Sequence, residues 1–288
     1  MFSFTNNWQI DILLFLVFAI IYFQFYKLSI RHAKNDGAAV VLLQFTTALI
    51  SAIFIPFFEF ILSKNIVTYI ILLCVCVLYS IYDRLQGTAR KNLEVSTYSI
   101  INQLNSVFMV IFGFIFFKEE FFISKLIGTV LIILGNICVL YNGKKIKLNK
   151  YIWLAMIAST IFAISYSMDI FISKQFNLPF YITLTTLIPG LFLITGLRIK
   201  IKDVIAESKI GNYINYLITG LAWFLSCFFS LKAFQHGEIT KIAPIQSLTV
   251  ILNVIVAYFL FKEKNNLLKK VIASILVCLG MSFIFIAK

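Results

Sequence analysis

Two stretches of this chain carry amide and hydroxyl side chains at helical spacing inside otherwise apolar runs. Ser99, Asn102, Gln103 and Ser106 fall at i, i+3, i+4 and i+7, and Gln246, Thr249 and Asn253 at i, i+3 and i+7. Each set therefore shares one helix face. Such a face should not look at lipid, and two uses remain for it. It can bind a polar solute near the middle of a membrane, or it can hydrogen-bond a neighbouring helix, which is worth about 0.6 and at most about 1.7 kcal/mol per contact.

Charged residues inside apolar runs are fewer, and each costs about 2.5 to 3.5 kcal/mol at a helix centre. Asp83 and Arg84 lie about two turns before the end of one run and Asp169 about one turn before the end of another. Asp83 and Asp169 are candidate proton or substrate-amine partners on opposite sides of a cavity, with Arg84 a candidate gate; the plain alternative is salt bridging or snorkelling at the interface. No carboxylate is expected near the middle of a cavity-facing helix, which favours a neutral or zwitterionic solute. Gln24, Gln44, Tyr79, Tyr166 and Trp223 add rings and amides suited to an amphipathic organic solute, although aromatic residues also serve packing and interfacial belts.

The elements that must position these residues follow from composition. With 61% hydrophobic and 13% charged residues and a mean hydropathy of +0.95, the chain suits a bilayer rather than an aqueous surface. A spanning helix needs roughly 20 mainly apolar residues, because lipid offers the backbone no hydrogen bonds. Ten segments qualify, at about Gln9 to Ile30, Ala38 to Leu62, Val67 to Ala89, Val95 to Phe117, Phe121 to Tyr141, Lys150 to Ser173, Pro179 to Leu197, Gly211 to Phe234, Thr240 to Phe261 and Asn266 to Ala287. The expected fold is an all-α integral membrane protein.

The chain also repeats itself. The stretch from Asn92 to Glu120 returns without a gap from His236 to Lys264, each copy running from an acidic residue (Glu94, Glu238) to Phe-Lys-Glu (Phe117 to Glu119, Phe261 to Glu263). Asn102 and Gln246 occupy equivalent positions. A repeat of half the length means duplication, and an odd number of spans per half makes the second half enter from the opposite side, an inverted-topology repeat. The expected division is residues 1–145 and 146–288, five spans each.

Loop charge gives an orientation. Of the 25 Lys and Arg, seven (Lys64, Lys118, Lys125, Lys174, Lys232, Lys241 and Lys288) fall on the side of the termini and 18 on the other. The positive-inside rule places both termini outside the cell inner or plasma membrane, and the net charge of +13 then reflects loop bias, so no nucleic-acid partner is invoked. The five cysteines all fall within spans, away from any extracellular disulfide. No hydrolase, Walker or zinc motif is found, and the chain reads as a non-enzyme without a cofactor, apart from coupling to protons or another ion gradient.

Ala233, Phe234, Gly237, Glu238, Ile239, Ala243 and Pro244, followed by an apolar run closing on FLFKEK and another ending VCLGMSFIFI, resemble the second repeat of the drug/metabolite transporter superfamily, EamA type. The first repeat is similar, with Ala89 matching Ala233 while Ile100 stands where Pro244 does. The resemblance covers roughly Ser80 to Tyr141 and Ser226 to Ile286. It implies a ten-helix transporter with helices 1 to 4 and 6 to 9 around a central cavity and helices 5 and 10 peripheral. Gly128, Gly135, Ala273 and Gly280 would let that outer pair approach closely. It departs from the family scheme in one respect, since many members place both termini in the cytoplasm and the charge bias here is opposite. The function implied is secondary transport of a small organic metabolite, such as an amino acid or related neutral or zwitterionic solute, by a monomer or homodimer, with export favoured over import. The alternative is a lipid-linked carrier flippase of the same fold, which would need a lateral opening between helices.

Overall fold

The computed structural model describes residues 7–105, 107–108, 122–140, 148–210, 212–236, 239–263 and 265–286. Among these are eleven α-helices: α1 (Trp8–Ile30), α2 (Asp36–Phe54), α3 (Ile66–Asn92), α4 (Val95–Asn102), α5 (Ile123–Leu140), α6 (Lys150–Ile172), α7 (Leu178–Leu197), α8 (Ile201–Ile210), α9 (Tyr213–His236), α10 (Ile239–Phe261) and α11 (Leu267–Ile286). Seven of the described helices are long and apolar enough to cross a membrane, and Ile123–Val139 and Ile245–Phe261 are shorter apolar segments. The protein is a multi-pass membrane protein. Much of the fourth expected span lies outside the described residues.

Asparagine starts many of these helices. Asn7, Asn35, Asn65, Asn149 and Asn177 stand at the N-caps of α1, α2, α3, α6 and α7, and each side chain accepts a backbone N–H of the first turn. An N-cap oxygen satisfies a donor that the helix itself cannot.

Two boundaries differ from the sequence expectation. The second span was expected to reach Leu62, but α2 ends at Phe54 and a single 3-10 turn, Ile55–Phe57, follows. Pro56 has no N–H to give to the carbonyl four residues back, so it stops the helix. The third span was expected to close at Ala89, but α3 runs on to Asn92 and carries Arg90 into the interior. The connector from Arg198 to Ile210 holds the short helix α8, whose Glu207 Oε1 accepts Lys34 N at 2.9 Å and Asn35 N at 2.7 Å.

α3 separates its two faces cleanly. Ile66, Ile70, Leu73, Val77 and Ile81 are exposed, from 71% at Ile66 to 43% at Val77, while Tyr79, Tyr82, Asp83 and Gln86 are buried. In a bilayer the first set meets lipid and the second the bundle.

Packing follows the duplication. α1 lies along α9 and α6 along α3, while α2 packs on α7, α4 on α10 and α5 on α11. Exchanging the halves returns the same set of pairs, so the architecture is two-repeat. The α5 and α11 pair is especially close. A Cβ on Gly128 would fall 2.4 Å from the carbonyl oxygen of Gly280, and one on Gly280 would fall 2.6 Å from that of Gly128. Without a hydrophobic force between helices in lipid, such backbone approach is what holds them together.

The repeated Phe-Lys-Glu also has a structural use in its second copy. Lys262 adopts the left-handed conformation, φ 55°, and the chain then brings Glu263 onto the start of α4. There Oε1 accepts Val95 N at 2.8 Å, and Oε2 accepts Ser96 N at 3.2 Å and the Ser96 hydroxyl. Lys270 pairs with Glu94 at 2.5 Å and with Glu263 at 3.6 Å. A carboxylate from one half thus caps a helix of the other, where the helix dipole favours negative charge.

Candidate functional site

α4 ends at Asn102, within the polar stripe, and Gln103 N bonds back to Ile100 O at 3.1 Å in a tightened last turn. Asn102 and Gln103 enter a chamber of about 150 Å³, which Gln246 and Thr249 of α10 enter from the other half. Tyr166 and Trp223 belong to its wall. Gln246 Nε2 donates to Ser230 Oγ at 2.8 Å, and that hydroxyl also meets Tyr166 OH at 2.7 Å. Asn102 Oδ1 is buried with no hydrogen-bond partner among the described residues. The equivalent amides therefore differ, one tied into a chain and the other with an unused acceptor.

A smaller chamber of about 40 Å³ adjoins it, and Tyr82, Phe162, Tyr166, Trp223 and Cys227 line both. Gln44, Tyr79, Asp83 and Asp169 belong to the smaller one. Asp83 Oδ2 accepts Gln44 Nε2, and Oδ1 accepts Gln86 Nε2 at 2.8 Å. Asp169 is held by two phenols, with Tyr79 OH on Oδ2 and Tyr181 OH on Oδ1, the latter at 2.5 Å. Burial of a carboxylate is tolerable only with such bonding. Pro189 stands inside α7 and has no N–H for the carbonyl of Thr185, a residue lining this chamber.

Several sequence expectations change here. Asp83 and Asp169 both line the smaller chamber. Asp83 also lies well inside α3, because the helix continues nine residues past it, so a carboxylate does face the interior away from helix ends. Arg84 lines neither chamber and donates from Nη1 to Thr88 Oγ1 at 3.0 Å. Its neighbour Asp83 points elsewhere, since adjacent residues of a helix diverge. Gln24 and Asn253 also lie outside both linings, with Gln24 Nε2 bonded to Asn253 Oδ1 at 3.0 Å between α1 and α10. Ser106 lies outside the described residues.

The sequence reading missed Arg90, which it counted as a cytoplasmic loop cation. Tyr79, Asp83, Gln86 and Arg90 recur at i, i+4, i+7 and i+11, and that stripe could have revealed the residue once the helix was carried three residues further. Tyr82, Phe162 and Asn105 were also missed; nothing but apolar or amide character marked them.

Paired halves around a chamber with a few polar side chains, inside a membrane bundle, fit the class of membrane transporters built from internal repeats. The model of the EamA-like transporter family matches the chain twice, over residues 8–141 and 149–286. The protein belongs to the EamA-like transporter family. A comparison with curated proteins finds no match to the chain.

Proposed function

We propose that this protein is a secondary transporter that moves a small organic metabolite, an amino acid or a related neutral or zwitterionic solute, across the cell inner or plasma membrane by alternating access. The observation that carries the reading is that Asn102 and Gln246, equivalent in the two halves, line one chamber, one from each half. A site made by both halves changes its exposure when one rocks against the other, which is how inverted repeats move a solute past a fixed site. Residues 1–145 and 146–288 would be the two five-helix repeats, ten helices in all and inverted with respect to each other, working as a monomer or homodimer. Asn102, Gln103, Gln246 and Thr249 would bind the solute, with Ser106 on the same stripe. Tyr79, Tyr166, Trp223 and Gln44 would shape its surroundings. Asp83 and Asp169 would take up a coupling proton or another ion, and no other cofactor is invoked.

Counterflow into proteoliposomes preloaded with a broad metabolite mixture tests the reading. Accelerated exchange of at least one solute, lost on Asn102→Leu, is the expected result. No exchange of any solute by folded, reconstituted protein would overturn it. Export is the expected direction, read by comparing efflux from loaded cells with and without the protein.

A further inference from the structure

Arg90 is 5% exposed and is the one charged side chain among the described residues that line the larger chamber. Its guanidinium carbon lies 4.4 to 4.7 Å from four ring centroids, those of Tyr22, Phe23 and Tyr26 on α1 and Tyr98 on α4. Behind it Lys27 Nζ donates to the carbonyls of Arg90, Lys91 and Leu93 at 2.8, 2.6 and 2.7 Å, which fixes the backbone that carries the guanidinium. Rings stabilise a cation through their π faces. They supply no strong acceptor for its in-plane N–H groups, of which a guanidinium has five. Nε and Nη1 of Arg90 are buried with no hydrogen-bond partner among the described residues. Asp83, two turns earlier on α3, is engaged by Gln44 and Gln86.

A cation placed in this way is stabilised as a charge and keeps unused directional donors beside the chamber. We propose that Arg90 is the receptor for a carboxylate on the transported solute. The inference rests on the reading of this chamber as the solute site and narrows the substrate class to amino acids and related zwitterions that carry a free, ionised carboxylate. A planar carboxylate matches the guanidinium fork and carries one negative charge against one positive. A phosphate monoester carries nearly two, and the nearby cation, Lys27, is committed to three carbonyls. The Tyr22 ring stacks on Trp223 at 4.5 Å, so the rings that hold Arg90 continue into the chamber wall and would contact the solute's apolar part.

The test uses the full chain in detergent and in proteoliposomes, with L-amino acids, the monocarboxylates of the same side chains and the α-amides of the amino acids as probes. Ligand-induced thermal stabilisation, followed against ligand concentration, should appear with at least one carboxylate and give an affinity weaker by about tenfold or more, or none, for its amide, the scale of a hydrogen bond to a charged group. Arg90→Gln should remove that discrimination, and Arg90→Lys should retain part of it. If Arg90→Gln does not fold, the acid and amide comparison on the wild type and on Arg90→Lys decides. Equal response to acid and amide, no response to any carboxylate, or full discrimination in the folded Gln variant would overturn the proposal. Counterflow with the same probes separates the two readings. Flux without acid over amide preference removes Arg90's role and leaves transport, whereas discrimination in binding without flux of any probe leaves Arg90's role and removes transport.

Discussion

Gln24 and Asn253 form a buried hydrogen bond, Nε2 to Oδ1 at 3.0 Å, between the first helix of one half and the penultimate described helix of the other. Asn253 belongs to the same stripe as Gln246, yet its partner is protein. Replacing Asn253 with Leu should lower stability by about 0.6 to 1.7 kcal/mol, the range of a polar contact between membrane helices, and leave solute affinity unchanged. Thermal unfolding in detergent together with the concentration dependence of counterflow reads both. An affinity loss at unchanged stability would return Asn253 to the solute site.

Asn102 and Gln246 should behave differently despite their equivalence. Asn102→Leu removes an acceptor with no partner among the described residues, so affinity should fall by about 1 to 3 kcal/mol with little change in melting temperature. Gln246→Leu also strips a partner from Ser230, so both affinity and melting temperature should fall. Equal stability loss in the two variants would mark both residues as helix contacts.

Asp83 and Asp169 line one small chamber, and ionisable side chains buried inside a membrane bundle are the groups from which proton relays are built. If a proton drives transport, Asp83→Asn should abolish accumulation driven by a pH gradient and spare counterflow, which needs no gradient. The variant should remain folded, because Asn keeps the size and one acceptor for Gln44 or Gln86. Unchanged gradient-driven accumulation would leave Asp83 as a structural anchor of those two amides.

Gly128 and Gly280 meet backbone to backbone, and a Cβ at Gly128 would stand 2.4 Å from a carbonyl oxygen that cannot rotate away. Gly128→Ala should therefore separate α5 from α11 and cost about 1 to 3 kcal/mol, the usual penalty for overpacking. Thermal unfolding checks it, and a melting temperature equal to that of the wild type would show that the pair has room to adjust.

The sequence carried the helical class, the repeat and the close glycine contact because each depends on local pattern: apolar length, self-similarity and small residues at helical spacing. It also carried Asn102, Gln103, Gln246 and Thr249, whose spacing marks a shared face. What it could not carry was the choice of partner. Gln24 and Asn253 look as solute-ready as Asn102 until the packing of α1 against α10 brings them together. Arg90 was lost for another reason, since an Arg followed by Lys near the end of an apolar run reads as a loop. The aromatic residues that bury it come from α1 and α4, and sequence distance hides them.

The orientation is the last expectation open to test, and the structure bears on its premise. Several cations from the richer side have partners in the fold, among them Lys27 on the carbonyls ending α3, Arg90 among four rings, Lys91 on Asp36 at 2.7 Å and Lys270 on Glu94. On the poorer side Lys232 pairs with Asp11 at 3.3 Å inside the bundle. Buried cations weigh less in topology than free loop charges, because the rule reflects the cost of moving exposed Lys and Arg across the membrane. Setting these five aside still leaves at least twice as many cations on the side away from the termini. A reporter fused after Lys288 should therefore behave as extracytoplasmic, and neutralising Lys144, Lys145 and Lys147 together should shift part of the population to the reverse orientation. A cytoplasmic reporter in the wild type would exchange the inside and outside labels of every loop. The chamber and its residues would stay as described, but the direction of access to them would be reversed.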